Sequence, residues 1–281
     1  MVFSCSWAVY FTICAAKYPV GEWEEKCGRI PWEDDYISDK CHMWRYGSDL
    51  SPVWGSGAKG DITRRILSGG GGSGVGDIIE FASSVFAYNW RAVTGPGAFN
   101  DPDFLVVGCP TDRPCEGWSQ KGQTPLSDVE QRTQFSMWCL LQAPLIIGSD
   151  VRSISDTALR TLSNKAAIAI NQDPAAFPPK VVSKSNSSQV WVRQLHNGDV
   201  AIAMVNTGDE TTDITLFLSD VVCTSCPRKA SLTDVWAGVD SLGSYGDASG
   251  TGGNNRLTTS SSVDVEDSYV AKAVESTRPF S

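Results

Sequence analysis

The sequence of 281 residues predicts an α/β region up to about residue 180, followed by an all-β region. Before residue 180, short apolar segments alternate with segments of helical period, which is typical of β–α units around a parallel sheet. After residue 181 the period becomes that of strands, and a small antiparallel β-sandwich is expected. Hydrophobic residues make up 41% of the chain and charged residues 20%, which excludes a largely disordered protein. We therefore expect two domains, residues 1–180 and residues 181–281.

Charge and cysteine content exclude several classes of protein. The net charge is −9 and no basic block occurs, which argues against a nucleic acid or an anionic membrane surface as partner. The chain has two histidines and a single Cys-x-x-Cys pair, Cys223 and Cys226, so we expect no metal ion and no cofactor. Nine cysteines favour an oxidising compartment.

The apolar first sixteen residues admit two interpretations. A signal peptide would have a positively charged start, whereas this segment has none and carries Ser4, Cys5 and Ser6. A segment of about 16 residues is also too short to span a bilayer. We therefore favour a buried strand over residues Val2–Trp7 and find no convincing signal peptide.

Two helices and a strand are predicted in the α/β region. The first helix has Asp77 as its N-cap, and its apolar residues follow helical spacing: Ile78, Ile79, Ala82, Val85, Phe86 and Trp90. Residues Ser127-Asp-Val-Glu130 form a capping-box pattern that opens a second helix, which continues to Leu141. Pro144–Gly148 is then predicted to be a short buried strand.

A hairpin is the clearest element of the all-β region. Residues Val190–Leu195 and Val200–Val205 have strand patterns and flank His196-Asn-Gly-Asp199, and Asn-Gly between two strands is a strong hairpin signal. Two more strands and two flexible, glycine-rich surface loops are predicted: Thr211–Leu218 and Ser231–Trp236 for the strands, Gly69–Gly76 and Gly238–Asn255 for the loops.

Two polar motifs carry candidate chemistry. In Asn100-Asp101-Pro102-Asp103, the proline holds the preceding residue extended, and two carboxylates near the end of a strand suit sugar hydroxyls or a metal ion. In Trp44-Arg45-Tyr-Gly-Ser-Asp49, an arginine lies four residues before an aspartate and suits a carboxylate or an axial hydroxyl. If each motif is considered separately, an Asx turn explains the first equally well, and a surface ion pair explains the second equally well.

These motifs belong to a series of blocks within residues 2–180. The blocks are Phe3-Ser-Cys-Ser-Trp7, Cys41-x-x-Trp44-Arg45-x-x-x-Asp49, Gly95-Pro-Gly-x-x-Asn100-Asp-Pro-Asp103, Ser136-x-Trp138 with Gln142-Ala-Pro-Leu-Ile-Ile-Gly-Ser-Asp150, and Leu162-Ser-Asn-Lys165 with Asn171-Gln-Asp-Pro174. In this order and spacing they resemble the α-galactosidase family that also contains α-N-acetylgalactosaminidases, glycoside hydrolase family 27. The all-β region resembles the same family more loosely, through Leu232-Thr-Asp-Val-Trp236.

The resemblance implies a retaining exo-glycosidase on a (β/α)8 TIM barrel, followed by a β-sandwich. In such an enzyme two carboxylates about 5–5.5 Å apart act as nucleophile and as acid/base. The family's acid/base aspartate matches Asp49, and its sugar-binding arginine matches Arg45. Asp103 matches a carboxylate that contacts the sugar.

The first block matches the family segment that recognises the substituent at C2 of the sugar. A glutamate there resembles galactosidases, whereas Ser6 resembles the N-acetylgalactosamine-cleaving type. Three positions on, the acetamide-binding members have an alanine, whereas this chain has Val9, followed by Tyr10. The implied specificity is therefore mixed. Cys5 and Cys41 match a family disulfide that ties two neighbouring barrel strands.

Two family blocks have no counterpart in the sequence. The family's nucleophile lies in a Tyr-x-Lys-x-Asp block, and a Trp-Asp-Asp-Cys block holds the far sugar hydroxyls; neither occurs in the 281 residues. A full barrel takes about 250 residues and a sandwich about 100. The first block matches barrel strand five, so we expect strands five to eight only. We expect this chain by itself to be inactive, as a truncated gene model, a fragment or the product of a decayed gene.

The sequence does not determine how the remaining cysteines pair. Cys109 and Cys115 have a spacing that suits a local disulfide, and Cys14 is a candidate partner of Cys27. A bridge within the Cys-x-x-Cys pair would be strained by its short loop. Cys139 lies on the apolar stripe of a helix and is expected to be a buried free thiol.

Three functions follow from these observations. The leading hypothesis is an α-galactosidase that cleaves terminal α-linked galactose from glycoconjugates or oligosaccharides. The second is an α-N-acetylgalactosaminidase, favoured by Ser6 and opposed by Val9. The third is a non-catalytic sugar-binding remnant, which accounts for the missing nucleophile. The resemblance implies that the full-length protein is secreted, or lysosomal or vacuolar, and leaves a homodimer open.

Overall fold

A computed structural model describes residues 2–15, 17–55, 73–84, 93–110, 115, 124–208, 210–217, 221, 229–236, 261–264 and 268–274. In the α/β region the described strands form a parallel sheet in the order β1 (Ser4–Cys5), β2 (Met43–Arg45), β3 (Phe99–Asp101). Cys5 is aligned with Trp44, and Trp44 with Asn100. Because the strands are parallel, their carboxyl ends meet at one edge, where Arg45 and Asp101 lie side by side.

The helices begin at residues that satisfy their free amide groups. The α-helices found among the described residues are α1 (Trp7–Ala15), α2 (Trp23–Cys27), α3 (Val75–Ala82), α4 (Asp128–Leu140), α5 (Asp156–Leu162) and α6 (Lys165–Asn171). The predicted capping box of α4 is confirmed, since the Ser127 hydroxyl accepts the Glu130 N–H and the Glu130 carboxylate accepts the Ser127 N–H at 2.7 Å. None of these helices is long and apolar enough to cross a membrane.

The predicted N-cap of α3 is wrong by three residues. Gly74 is the N-cap, and Asp77 lies in the first turn, where its carboxylate accepts the Gly74 N–H at 2.9 Å. The carboxylate therefore still serves the start of the helix, from inside it. Three of the apolar positions predicted for this helix, Val85, Phe86 and Trp90, lie outside the described residues.

The all-β region is built from antiparallel pairs. Its described strands are β4 (Lys180–Lys184), β5 (Ser188–Gln194), β6 (Val200–Asn206), β7 (Thr212–Phe217), β8 (Lys229–Leu232), β9 (Ser261–Asp264) and β10 (Ser268–Val274). The strands β4, β5 and β6 form one sheet, while β7 pairs with β10 and β8 with β9. The β5–β6 hairpin is confirmed, and Gly198 in its turn has a φ of 88°, which favours glycine.

One hydrophobic core joins the two regions. Trp44 on β2 and Trp138 on α4 are fully buried in it, as is Trp191 on β5. Val205 on β6 packs in the same cluster. The apolar core therefore continues across the predicted boundary near residue 180, so the strands of the second region are packed on the helices of the first.

A buried arginine crosses the same boundary. Arg193 on β5 is 1% exposed, and its guanidinium donates to the carbonyls of Cys139, Leu140 and Ile170 at 3.4, 3.4 and 3.0 Å. Its Nε donates to the Phe177 carbonyl at 3.0 Å. The carbonyls of Cys139, Leu140 and Ile170 lie at the carboxyl ends of α4 and α6, where a helix carries partial negative charge. Arg193 thus adds a charged donor to carbonyl groups at the ends of two helices.

A second polar contact ties the hairpin turn to the segment after α6. The Asp173 side chain is buried, and its carboxylate accepts the His196 N–H at 3.0 Å and contacts the His196 ring Nδ1 at 2.7 Å. Burial alone would raise the pKa of Asp173, but hydrogen bonds from His196 and Ala175 hold the pKa of Asp173 below its ordinary value. The contact therefore favours the ionised carboxylate in the folded state.

This contact predicts a loss of stability in acid. Because the folded-state pKa of Asp173 lies below the ordinary value of 3.8, its contribution is present above that pH and disappears as the pH falls through the folded-state pKa. We expect Asp173→Asn to lower the urea midpoint at pH 6 and to do so by much less at pH 3. Asp39→Asn, which changes an exposed carboxylate, is the control. An equal effect of Asp173→Asn at both pH values would contradict the assignment.

Two predicted buried strands are wrong. Over Val2–Trp7 the strand is only Ser4–Cys5, α1 begins at Trp7, and the apolar side chains of residues 2 and 3 are exposed. The reason is that β1 lies at the edge of the described sheet. In Pro144–Gly148 only Ile147 forms a bridge, to Leu105, and the side chains of residues 146 and 147 are exposed. Apolar composition therefore did not imply burial in these two segments.

Two further predictions need smaller corrections. The strand predicted to reach Trp236 ends at Leu232, because the Asp234 carboxylate accepts the Trp236 N–H at 2.8 Å and forms a turn. Residues 73–76 are buried or half-buried at the start of α3 and are not a flexible surface loop. The rest of that loop, residues 69–72, and the predicted loop Gly238–Asn255 lie outside the described residues.

The described cysteines pair as the sequence suggests. Disulfides join Cys5 to Cys41, Cys14 to Cys27 and Cys109 to Cys115. Cys139 is buried and free, and burial raises the pKa of its thiol to about 12, so this thiol is unreactive at neutral pH. The Cys-x-x-Cys pair lies outside the described residues.

Candidate functional site

Two parallel strands bring the polar motifs together. Arg45 is the last residue of β2, and Asp101 is the last residue of β3, aligned with it. The two strands are also joined by side chains, since the buried Trp44 Nε1 donates to the Asn100 Oδ1 at 2.7 Å. The loops that leave both strands, which carry Asp49 and Asp103, therefore start from the same edge of the sheet.

Arg45 connects the two aspartates. Its Nη2 lies 2.9 Å from the Asp103 Oδ2 and 3.4 Å from the Asp49 Oδ1. The same nitrogen donates to the Ser48 carbonyl at 2.8 Å. The Arg45 side chain is 16% exposed, whereas that of Asp49 is 89% exposed. Arg45 is thus a fixed cation between one buried carboxylate and one that faces solvent.

Asp103 is held in place from several sides. Its side chain is 7% exposed, its Oδ2 accepts the Leu50 N–H at 2.8 Å, and its Oδ1 accepts the Phe104 N–H at 2.9 Å. Its carbonyl accepts the Trp138 Nε1–H at 2.7 Å. Its backbone has a φ of 84°, in the left-handed region that non-glycine residues rarely adopt. Such a conformation persists where surrounding contacts determine it, and these contacts do so here.

Asp101 is a third carboxylate at this edge. It is buried, and its Oδ1 accepts the Asp103 N–H at 2.8 Å. Burial raises the pKa of Asp101 above its ordinary value, although the charge of Arg45 and the Asp103 hydrogen bond oppose the change. The motif predicted Asp101 as one of two carboxylates suited to sugar hydroxyls or a metal ion; its burial is the feature that the sequence could not show.

The predicted C2-recognition residues lie beside this cluster. Ser6 follows β1 directly, and Cys5, the last residue of β1, is aligned with Trp44, which precedes Arg45. Val9 and Tyr10 lie in the first part of α1, beyond the strand predicted over Val2–Trp7. The structure therefore brings Arg45, Asp49 and Asp103 into contact, places Ser6 one strand away, and places the other two on the helix that follows.

Two positioning groups were missed from sequence. Trp138 lies in one of the quoted blocks, but its role in holding the Asp103 carbonyl depends on α4 packing across the sheet. The Leu50 N–H is a backbone donor, which no residue type reveals. In the described part of the chain, no group of three or more His, Cys, Asp or Glu side chains is placed to hold a metal ion.

Two family models match this chain. The model for α-galactosidase A matches residues 72–173, and the model for the α-galactosidase C-terminal β-sandwich domain matches residues 185–272. The chain belongs to the α-galactosidase family, glycoside hydrolase family 27. The expected fold class is confirmed as well, because the parallel sheet and the antiparallel sheets correspond to part of a TIM barrel followed by the family's β-sandwich.

Relatives of this α-galactosidase family chain agree with that assignment. An α-galactosidase of Oryza sativa subsp. japonica is 35% identical over 148 residues, which are 53% of this chain and 32% of the relative. An α-galactosidase A of Aspergillus niger is 29% identical over 201 residues, which are 69% of this chain and 33% of the relative. The chain thus spans about a third of the length of these relatives.

A solved structure agrees in fold. The α-galactosidase from Saccharomyces cerevisiae with raffinose has a TM-score of 0.58 and 24% identity, and the match covers 70% of this chain and 44% of that chain. At this identity the likeness supports the fold alone. Galactosides as substrates and the roles of single residues therefore remain proposals for this chain.

Proposed function

We propose that this chain supplies the acid/base side and part of the sugar site of a retaining α-galactoside hydrolase. The observation that carries the proposal is the contact of Arg45 with both Asp49 and Asp103 at the carboxyl edge of parallel strands. In barrel enzymes this edge holds the active site. The family membership of the chain supplies the substrate class, an α-linked galactoside.

The different surroundings of the two carboxylates suit different roles. The Asp49 side chain is 89% exposed and contacts Arg45 at 3.4 Å, so a glycosidic oxygen and a water molecule can both approach it. It is therefore the proposed acid/base. Asp103 is buried and its oxygens hold backbone N–H groups and Arg45, so it keeps one position. It is the proposed acceptor for a sugar hydroxyl, with Arg45 as the neighbouring donor.

The reaction requires one group that the sequence does not offer. In a retaining enzyme a nucleophile attacks the anomeric carbon while the acid protonates the leaving oxygen, and the resulting conjugate base then deprotonates water. Asp49 can perform both proton transfers. The Tyr-x-Lys-x-Asp block of the family nucleophile is not among the 281 residues. We therefore propose that this polypeptide binds galactose but does not complete the double displacement by itself.

The domain division and the compartment are part of the same proposal. A boundary near residue 180 agrees with the start of β4 at Lys180 and with the gap between the two matched regions. Three disulfides in the described residues are typical of a secreted protein or of one in an oxidising lumen, such as that of a lysosome or vacuole.

Calorimetric titration with galactose tests the proposal. We expect the 281-residue chain to bind galactose and Arg45→Met to weaken this binding about tenfold or more, because the substitution removes the charged donor. Arg152→Met is the matched control, since this arginine is exposed and pairs with Asp150. We expect no release of nitrophenol from 4-nitrophenyl α-galactoside.

Three results would change the proposal. Absent galactose binding, or binding that Arg45→Met leaves intact, would contradict the sugar site. Turnover that Asp49→Asn abolishes would keep the acid/base role and refute the missing nucleophile. Tighter binding of N-acetylgalactosamine than of galactose would favour the alternative activity, an α-N-acetylgalactosaminidase, which Ser6 favours and Val9 opposes.

A further inference from the structure

The all-β region holds an acceptor pattern for N-glycosylation that the proposed function does not use. Asn186-Ser187-Ser188 is the only place in the 281 residues where an asparagine is followed two positions later by serine or threonine. The residue between them is not proline, as the pattern requires. Because so short a pattern also arises by chance, its meaning depends on where the fold places it.

The fold places Asn186 at the tip of a hairpin. Asn186 is exposed and lies in the turn between β4 and β5, where the Ser185 N–H donates to the Ser188 carbonyl at 2.8 Å. The other two residues of the triplet are half-buried. Asn186 is therefore the residue of the triplet that is most accessible to solvent, as a residue that bears a glycan has to be.

The hairpin tip is held in place by contacts that do not involve Asn186. On one side, Lys184 forms an ion pair with Glu80 near the end of α3, and the Gln189 Nε2 donates to the second Glu80 oxygen at 2.7 Å. On the other side, the Ser187 carbonyl accepts the Thr207 N–H at 2.7 Å. A glycan on the Asn186 side chain therefore leaves all of these contacts intact.

The folded turn occupies the hydroxyl on which the acceptor pattern depends. The Ser188 hydroxyl lies 2.9 Å from the Ser185 hydroxyl, which also accepts the Ser187 and Ser188 N–H groups at 3.2 and 3.0 Å. Ser188 is also paired with Asn206 on β6. A transferase that recognises the Ser188 hydroxyl therefore reaches it before the hairpin closes and not in the folded chain.

The disulfides supply a second condition for this modification. The described residues contain three of them, which are typical of an oxidising compartment. Asparagine-linked glycans belong to the same class of secreted proteins. The inference thus rests on the compartment proposed above and is independent of the sugar site at Arg45.

We propose that Asn186 carries an N-linked glycan, which is added before the β4–β5 hairpin closes. The donor is an oligosaccharide joined to a lipid through pyrophosphate, and the Asn186 Nδ2 attacks its anomeric carbon. The bond from that carbon to the pyrophosphate oxygen breaks, and the lipid pyrophosphate leaves. The amide nitrogen loses one of its two protons to a base of the transferase and keeps the new N–C bond. The product bears a hydrophilic group at the tip of the hairpin.

Expression of the 281-residue chain behind a secretion leader in a eukaryotic host tests the site, with the tryptic peptide Ser185–Arg193 mapped in medium and cell lysate. We expect this peptide to carry a glycan that peptide N-glycosidase releases. Asn186→Gln and Ser188→Ala should abolish the glycan, whereas Ser188→Thr should retain it because threonine also supplies the hydroxyl. Asn197→Gln is the matched control, since Asn197 is exposed in the next hairpin turn but lacks a hydroxyl residue two positions on.

The timing is tested with unglycosylated chain from a bacterial host. The folded chain and a reduced, alkylated chain, shown by circular dichroism to be unfolded, are each incubated with an oligosaccharyltransferase and its lipid-linked donor. We expect modification of the unfolded chain only, because the folded turn holds the Ser188 hydroxyl. Equal modification of both chains would overturn the proposed timing.

The remaining outcomes separate this proposal from the proposed function. A wild-type chain without a glycan in both medium and lysate, or a glycan that persists in Asn186→Gln, would overturn the site. Galactose titration before and after treatment with peptide N-glycosidase should give equal affinities, since the glycan adds no group to the Arg45 cluster. A glycosylated chain that binds no galactose in either form would contradict the proposed function and support the glycan site.

Discussion

Replacing Asp103 by alanine is expected to lower the free energy of unfolding by about 3 kcal/mol and to abolish galactose binding. The substitution leaves Arg45, which is largely buried, without its buried partner, and removes the acceptor of the Leu50 and Phe104 N–H groups. An unpaired buried charge and unsatisfied buried donors are both costly. Urea unfolding and galactose titration of the same samples measure the two effects.

Two companion variants distinguish the site from the fold. Asp103→Asn preserves the shape of the side chain but presents an amide to Arg45, so we expect a smaller loss of stability and a similar loss of binding. Asp49→Asn should leave the urea midpoint unchanged, because the Asp49 side chain is 89% exposed. An Asp103→Ala protein as stable as the wild type would refute the buried pair.

Replacing Arg193 by alanine is expected to destabilise the chain by about 3 kcal/mol. The guanidinium donates to carbonyls at the ends of α4 and α6 and at Phe177, and all of these contacts are lost in the variant. Part of the expected loss is offset because the Arg193 Nη2 is itself buried without an acceptor among the described residues. Thermal unfolding followed by circular dichroism measures the change in midpoint.

Replacing Arg193 by lysine tests whether the carbonyl contacts require the guanidinium or only its charge. Arg193→Lys keeps the charge near the helix ends but cannot reach several carbonyls in one plane, so an intermediate midpoint is expected. Arg152→Ala removes an exposed arginine and should leave the midpoint unchanged. If Arg193→Ala and Arg152→Ala had the same midpoint, the carbonyl contacts would not stabilise the boundary between the two regions.

The elements with strong local signals were predictable from sequence. The capping box at Ser127 and the Asn-Gly turn before Gly198 are determined by backbone groups within a few residues, and both were found where predicted. The predictions that failed concern segments whose burial depends on tertiary contacts. The apolar segments at residues 2–7 and 144–148 were predicted to be buried strands, yet several of their side chains are exposed.

The sequence by itself determined the family, the alternation of strands and helices, the hairpin and the polar motifs, because each depends on residue type and spacing along the chain. Only the tertiary structure decided which groups meet. Parallel alignment of β2 and β3 placed Arg45 between Asp49 and Asp103, and the packing of α4 fixed the Asp103 carbonyl through Trp138. Burial and distance are properties of the folded chain, so the difference between an exposed carboxylate and a fixed one appears only there.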